Sequence, residues 1–283
     1  MIREIYNGNK KAILATYTVL IIETLVFSLF PFYLGKSIDG LLEKQYGWFT
    51  FYISVCAIGI VIGISRRMFD TRVFAGVWNR ISTRTVLHLI DRKVDASKII
   101  TRADLSTRFV DFFEYNIPNL FHYSISISTA VVMLSLSVPL ISRWLCLLAG
   151  LALAVSYFVS TKCKIQDIKI QESLDISNKA INEKDKDGVV DAYKVRTSCY
   201  VKTSDWHAFS WGVTDILGVL GDVLVILVLV KMDCSPGKII STVTYTWQLF
   251  GNVNGLLYFF INMKEVEVAK EKIEEESGNE GVS

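Results

Sequence analysis

Six apolar runs divide this chain: Ile13–Leu34, Trp48–Ser65, Tyr115–Leu140, Trp144–Val159, Trp211–Val230 and Ile239–Ile261. Each comes close to the roughly twenty residues that a helix needs to cross the ~30 Å hydrocarbon core of a bilayer. That pattern leaves few folds open. In lipid every backbone N–H and C=O must be satisfied within its own segment, which selects helices here. The second and fourth runs are a little short, so their helices are expected to extend beyond the bilayer. Composition agrees: 51% of the 283 residues are hydrophobic, 20% are charged and the mean hydropathy is +0.38. A soluble domain of that length would carry more charge. The first run lacks a small-residue cleavage site and is followed by further spans, so it reads as a span rather than a cleaved signal.

The connections between runs are unequal in a regular way. Asp39–Gly47, Ile141–Arg143 and Lys231–Lys238 are short, whereas the segments 66–114 and 160–210 are long. Net charge is only +2, and its placement says more. Arg3, Lys10 and Lys11 precede the first run. Arg66, Arg67, Arg72, Arg80, Arg84, Arg92, Lys93, Lys98, Arg102 and Arg108 follow the second. Lys162, Lys164, Lys169, Lys179, Lys184, Lys186, Lys194, Arg196 and Lys202 follow the fourth. Lys and Arg gather on the cytoplasmic side of a membrane, which puts both termini and both long segments inside and the short loops outside. Trp48, Trp144 and Trp211 stand at run edges, where interfacial indoles belong.

The long segments keep helical periodicity in spite of their charge. Val73, Val77, Ile81, Leu87 and Ile90, with Arg84 filling the place between Ile81 and Leu87, recur at three- and four-residue steps, and a second run begins near Ala103 with Leu105, Phe109, Phe112 and Phe113. Asp91 to Lys98 breaks the pattern between them. In the other segment Ile165, Ile168 and Ile176 lead down, Asn182 to Gly188 is a polar turn, and Val189, Val190, Tyr193 and Tyr200 lead up again. The expected fold is therefore all-α and integral to the membrane: six transmembrane helices extended into two long cytoplasmic helical arms. Residues 1–273 form that domain, with arms at 66–114 and 160–210, and the acidic tail 274–283 is expected to be disordered. The tips, Asp95, Ala96, Ser97 and Lys98 on the first arm and Lys184 and Asp185 on the second, are candidate docking points.

Polar residues inside the runs are the candidate functional set. Glu23 and Asp222 fall mid-span, and Asp215 lies two turns before Asp222. Ionisable groups at that depth are costly and face protein or a water-filled cavity. They line a polar path or they hydrogen-bond between helices. Glu23, at a depth similar to Asp222, could share a proton or hydrogen bond with it. Tyr115, Asn119, His122, Ser126 and Thr129 make one polar stripe on the third span, and Thr244, Gln248, Asn252 and Asn262 make another on the last. Both stripes should point away from lipid, toward substrate or toward one another. Gly59-x-x-x-Gly63 in the second span, and Gly218 with Gly221 in the fifth, permit close helix packing.

The remaining chemistry is sparse. Cys56, Cys146, Cys163, Cys199 and Cys234 form no CxxC pair and read as small buried hydrophobes. His88, His122 and His207 are far apart along the chain, so no metal site is expected. The charges of the first arm alternate with an apolar helical face, which argues against nucleic acid.

Four stretches carry a family resemblance. Phe30-Pro31-Phe32-Tyr33-Leu34-Gly35-Lys36-Ser37-Ile38-Asp39 closes the first span, and Thr101-Arg102-Ala103-Asp104-Leu105-Ser106-Thr107-Arg108 follows the first arm's tip. Ser235-Pro236-Gly237-Lys238-Ile239-Ile240 opens the last span, and Val268-Ala269-Lys270-Glu271-Lys272-Ile273 leaves it. In order and spacing they resemble the transmembrane domain of a type IV, exporter-type ABC transporter, from about Lys11 to Glu276. Ala103 stands where that family usually has Gly. Its Gly-Ile-x-x-Val-Lys-Ala-Phe run is missing, with Asp191–Val195 only loosely in its place.

The resemblance implies a membrane subunit that dimerises, with itself or a paralogous six-span chain, to form a substrate pathway in a bacterial inner membrane. No Gly-x-x-x-x-Gly-Lys-[Ser/Thr] loop and no Leu-Ser-Gly-Gly-Gln signature occur in the sequence. The chain is therefore expected to carry no catalytic residues and no cofactor. ATP and Mg would enter only through a partner ATPase docked on the arms. Two other readings stay open: a membrane interaction or regulatory protein that keeps the fold without ATP-driven transport, and a secondary transporter that uses Glu23 and Asp222 as proton sites.

Overall fold

The computed structural model describes the backbone of residues 2–92, 94, 99 and 110–279, and the side chains of residues 10–92, 94, 99, 110–264 and 266. Among the described residues the regular elements are all helices: α1 (Ile2–Ser28), α2 (Phe30–Leu42), α3 (Gly47–Asp91), a π-helical turn (Phe112–Asn116), α4 (Ile117–Ser137), α5 (Pro139–Glu183), α6 (Lys186–Lys231) and α7 (Pro236–Asn279). Five segments are long and apolar enough to cross a membrane: 10–42, α3, 112–137, α5 and α6. The sixth expected run, Ile239–Ile261, is helical within α7. It carries Thr242, Thr244, Thr246, Gln248, Asn252 and Asn254 among its apolar residues.

Prolines set where these helices break. The first run is not one helix: α1 ends at Ser28 and α2 begins at Phe30, with Pro31 in its first turn. The missing proline N–H is tolerated there because first-turn donors have no intrahelical partner anyway. The reversal expected at Ile141–Arg143 lies earlier, at Val138. Its backbone is extended (φ −143°, ψ 68°), because the ring of Pro139 clashes with a helical preceding residue. Residues 141–143 are helical within α5. Pro118 stands in the first turn of α4, where its absent donor and bulky ring would disturb an unbroken α-helix. The π-helical turn just before it absorbs that disturbance.

The chain folds as two compact units, 1–147 with 218–252 and 148–217 with 253–283. In the first, α1 packs on α3 and α4, and α2 packs on α3. Phe74, Val77, Ile81 and Val110 make a buried cluster covered by Tyr17 and Phe113. The buried face of α3 keeps Val77 and Ile81 of the expected one. Asp70, Phe74, Val77 and Ile81 point inward, whereas Leu87 and Ile90 are exposed. The expected tip residues Asp95, Ala96, Ser97 and Lys98, and the run that begins near Ala103 up to Phe109, lie outside the described residues.

In the second unit Val159, Cys163, Leu257 and Ile261 pack with Val155 and Trp206. Buried serines line its helix contacts. Ser156 and Ser210 pair at 3.2 Å, and Arg196 donates to Ser177 at 3.2 Å while lying over the Tyr193 ring. Small hydroxyl residues let helix backbones approach closely and bond across the contact. The polar turn forms where the sequence places it. Lys184 takes a left-handed conformation (φ 58°), and Asp185 Oδ1 accepts from the N–H groups of Asp187 and Gly188, both at 3.1 Å, capping α6.

Candidate functional site

The site begins with two glycines one turn apart on α3. A Cβ on Gly59 would meet the Phe27 ring at 2.7 Å, and one on Gly63 would meet Glu23 Oε1 at 2.9 Å. Phe27 and Glu23 are likewise one turn apart on α1. The Gly59-x-x-x-Gly63 face is therefore a seam into which α1 inserts a ring and a carboxylate. Three residues after Gly63 comes Arg66. Its Nε donates to Glu23 Oε2, and its Nη1 donates to Asp70 Oδ2 at 2.5 Å. The three side chains are between 11% and 16% exposed, so this is a nearly buried ion cluster. Burying one charge alone would be expensive, and the shared guanidinium makes the arrangement tolerable.

A cavity of about 310 Å³ opens beside it, lined by Arg66, Arg67, Asp70, Glu114, Asn119 and His122 with Leu20, Thr71, Tyr115 and Pro118. Of the candidates named from sequence, Glu23, Asn119 and His122 come together here, Glu23 through its bond to Arg66. Farther along the third-span stripe, Ser126 and Thr129 are spent on packing. Thr129 Oγ1 accepts from Ser28 at 3.0 Å, and the Ser126 carbonyl accepts from Gln248 Nε2 at 3.0 Å. Asn252 Nδ2 in turn donates to the Gln248 carbonyl at 2.5 Å. The two polar stripes thus meet at Ser126–Gln248.

Glu23 and Asp222 do not pair. Glu23 faces Arg66, whereas Asp222 has Trp247 as its polar neighbour and its Oδ1 is buried without a hydrogen-bond partner. Asp215 belongs to the second unit, where its side chain is exposed. Sequence reading missed Arg66 and Asp70 as site residues, because both were counted with the basic arm. It also missed Glu114 at the start of the third span. A carboxylate four residues after an arginine is one helical turn away, and that local signal could have found Asp70.

Elsewhere in the first unit, two of the four stretches that carried the resemblance meet, on α2 and α7. Asp39 Oδ1 accepts from the Gly237 N–H at 2.8 Å, and Asp39 Oδ2 accepts from Ser235 Oγ at 2.7 Å. Gly35 and Gly237 pass with no room for a Cβ on either. Asp39 and Ser235 therefore cap α7 from two directions.

No disulfide joins the five cysteines, and Cys163 and Cys199 are buried. Among the described residues no three His, Cys, Asp or Glu are grouped to hold a metal ion. No curated protein matches the chain. A family model described as ABC transporter transmembrane region matches residues 2–237. Membrane-length helices in an all-helical fold, with that match over most of the sequence, identify an integral membrane protein. The chain belongs to the ABC transporter transmembrane region family and is a membrane-embedded subunit of such a transporter.

Proposed function

We propose that two such six-span chains, identical or paralogous, enclose a substrate pathway in a bacterial inner membrane, and that a separate ATPase subunit drives it. The observation that carries this reading is the length of the helices. α3, α5 and α6 have 45, 45 and 46 residues, which at ~1.5 Å per residue is roughly 68 Å, more than twice a bilayer core. Helices that overshoot the membrane so far need something in water to engage. The excess of Lys and Arg on the long segments puts that water on the cytoplasmic side, together with both termini.

In this scheme ATP and Mg bind the partner only. The tips, Asp95–Lys98 and Lys184–Asp185, receive its motion. Glu23, Asn119 and His122 line the path at the α1–α3–α4 cavity, while Asp222, Gln248 and Asn252 contribute from α6 and α7. The second chain closes the polar surface that one chain leaves open.

Purification from native membranes in mild detergent tests the proposal. The expected result is a dimer of six-span chains with a stoichiometric co-purifying ATPase whose activity depends on the complex. A dimer recovered repeatedly without any ATPase would overturn it and favour a membrane interaction protein that keeps the fold without energy coupling.

A further inference from the structure

The Glu23–Arg66–Asp70 cluster leaves one acceptor over. Asp70 is 8% exposed and lines the cavity. Its Oδ2 is taken by Arg66, but its Oδ1 is buried and has no hydrogen-bond partner. An ionised carboxylate offers several lone-pair sites, and leaving one idle away from water is costly. The balance of charge around it points one way. Three carboxylates, Glu23, Asp70 and Glu114, stand against two guanidiniums. Arg66 already serves Glu23 and Asp70, whereas Arg67 is exposed and open to screening by water. Glu114 lines the same cavity, next to Tyr115, whose ring can also attract a cation.

We propose that this cavity binds the protonated amine of a small organic cation, with Asp70 Oδ1 as its buried acceptor and Glu114 as the second. A volume of about 310 Å³ is at the small end of ligand sites and suits a compact molecule. An inorganic ion fits less well, because among the described residues no three carboxylate, imidazole or thiol groups are grouped for one. An anion would find Arg66 already engaged. As a transported substrate, this cation rests on the pathway reading above; as a bound ligand, it depends on the cavity alone.

The test uses the full chain in zwitterionic lipid nanodiscs, with empty nanodiscs as the blank. Two fluorescent probes are compared: dansylcadaverine, which carries a primary ammonium, and dansylamide, which is neutral. The cationic probe is expected to bind saturably and at least about tenfold more tightly than the neutral one. Asp70→Asn and Glu114→Gln should each weaken dansylcadaverine by about tenfold and leave dansylamide unchanged. Glu114→Gln lies outside the Arg66 cluster, so its melting temperature should match the native chain and its effect reads binding rather than folding. Equal affinity for the two probes would overturn the proposal, as would unchanged dansylcadaverine binding in both variants. The same preparations report ATPase co-purification. Lost probe selectivity with the ATPase still bound sinks only this inference. Lost ATPase with selective binding intact sinks only the pathway reading.

Discussion

The backbone N–H of Gly237 donates to the Asp39 carboxylate at 2.8 Å, across 198 residues of chain. Two sequence stretches that look unrelated thereby form one device. Asp39 lies in the last turn of α2, and Gly237 is the second residue of α7. The first N–H groups of a helix have no partner within it, and they carry the positive end of the helix dipole. Asp39 satisfies both needs from another helix. Ser235 completes the cap locally, with its Oγ accepting from the Lys238 N–H at 3.3 Å.

Replacing Asp39 by Ala should cost about 1 kcal/mol, the ordinary loss for a removed N-cap. Gly237→Ala should cost more, about 1–3 kcal/mol, because its Cβ would strike the Gly35 backbone carbonyl as well as the Asp39 side chain. Backbone cannot swing aside as a side-chain end can. Thermal melting in nanodiscs checks the order. Asp39→Ala melting lower than Gly237→Ala would mean that the cap, not the close approach, holds α2 to α7.

Arg66 should be worth more than either of its partners. Arg66→Gln strands two nearly buried carboxylates, and breaking such a pair costs about 3–5 kcal/mol. Glu23→Gln leaves Arg66 paired with Asp70 and should cost clearly less. Gly63→Ala should be milder still, since the group its Cβ meets is the far end of a flexible side chain. A double-mutant cycle on Glu23 and Arg66 measures the coupling directly. A coupling energy near zero would show that the cluster contributes geometry but no stability.

The parts of the fold that were legible in the sequence are those set locally. Runs of apolar residues and the polar turn around Lys184 each depend on neighbours within a few residues. Phase and partnership were not legible. Val73, Val77, Ile81, Leu87 and Ile90 share a helical face, but only Val77 and Ile81 are buried, in a cluster with Phe74 that Tyr17 and Phe113 cover, whereas Leu87 and Ile90 are exposed. Glu23 and Asp222 share a depth, and depth alone suggested a pair. The partner of Glu23 is Arg66, 43 residues away, chosen because Gly63 lets α1 and α3 close to that distance. The reversal at Val138 was hidden because Pro139 lies inside an apolar run and hydropathy does not register a missing donor.

At the second arm's tip, Lys184 holds φ 58°, a conformation that costs an L-residue with a Cβ about 1–2 kcal/mol. Lys184→Gly should relieve that cost and protect the turn. Asp185→Ala removes the acceptor for Asp187 and Gly188 N–H and should lose about 1 kcal/mol locally. Limited proteolysis reads the difference. Cleavage near 184 should quicken about fivefold in Asp185→Ala, as a ~1 kcal/mol loss implies, and slow in Lys184→Gly. Equal cleavage of all three chains would show that the turn is held by the hairpin's packing and not by its own cap.

Asp222 gives the sharpest separation of a structural role from a role in transport. It follows Gly221, whose missing side chain lets Leu145 of α5 and Thr246 of α7 approach closely. Trp247 is its polar neighbour, and its Oδ1 is buried without a hydrogen-bond partner. A purely structural residue needs only the first of these. Asp222→Asn keeps a polar neighbour for Trp247, removes a charge from mid-span and adds a donor, so its stability should stay within about 1 kcal/mol of the native chain. Asp222→Leu leaves Trp247 without its polar neighbour and should lose about 1–3 kcal/mol. The idle oxygen is what a path-lining carboxylate would offer to a passing polar group. In proteoliposomes that contain the partner ATPase, Asp222→Asn should therefore slow transport by about tenfold or more while melting normally. Normal turnover in that variant would remove Asp222 from the path and leave it as the polar neighbour of Trp247 alone.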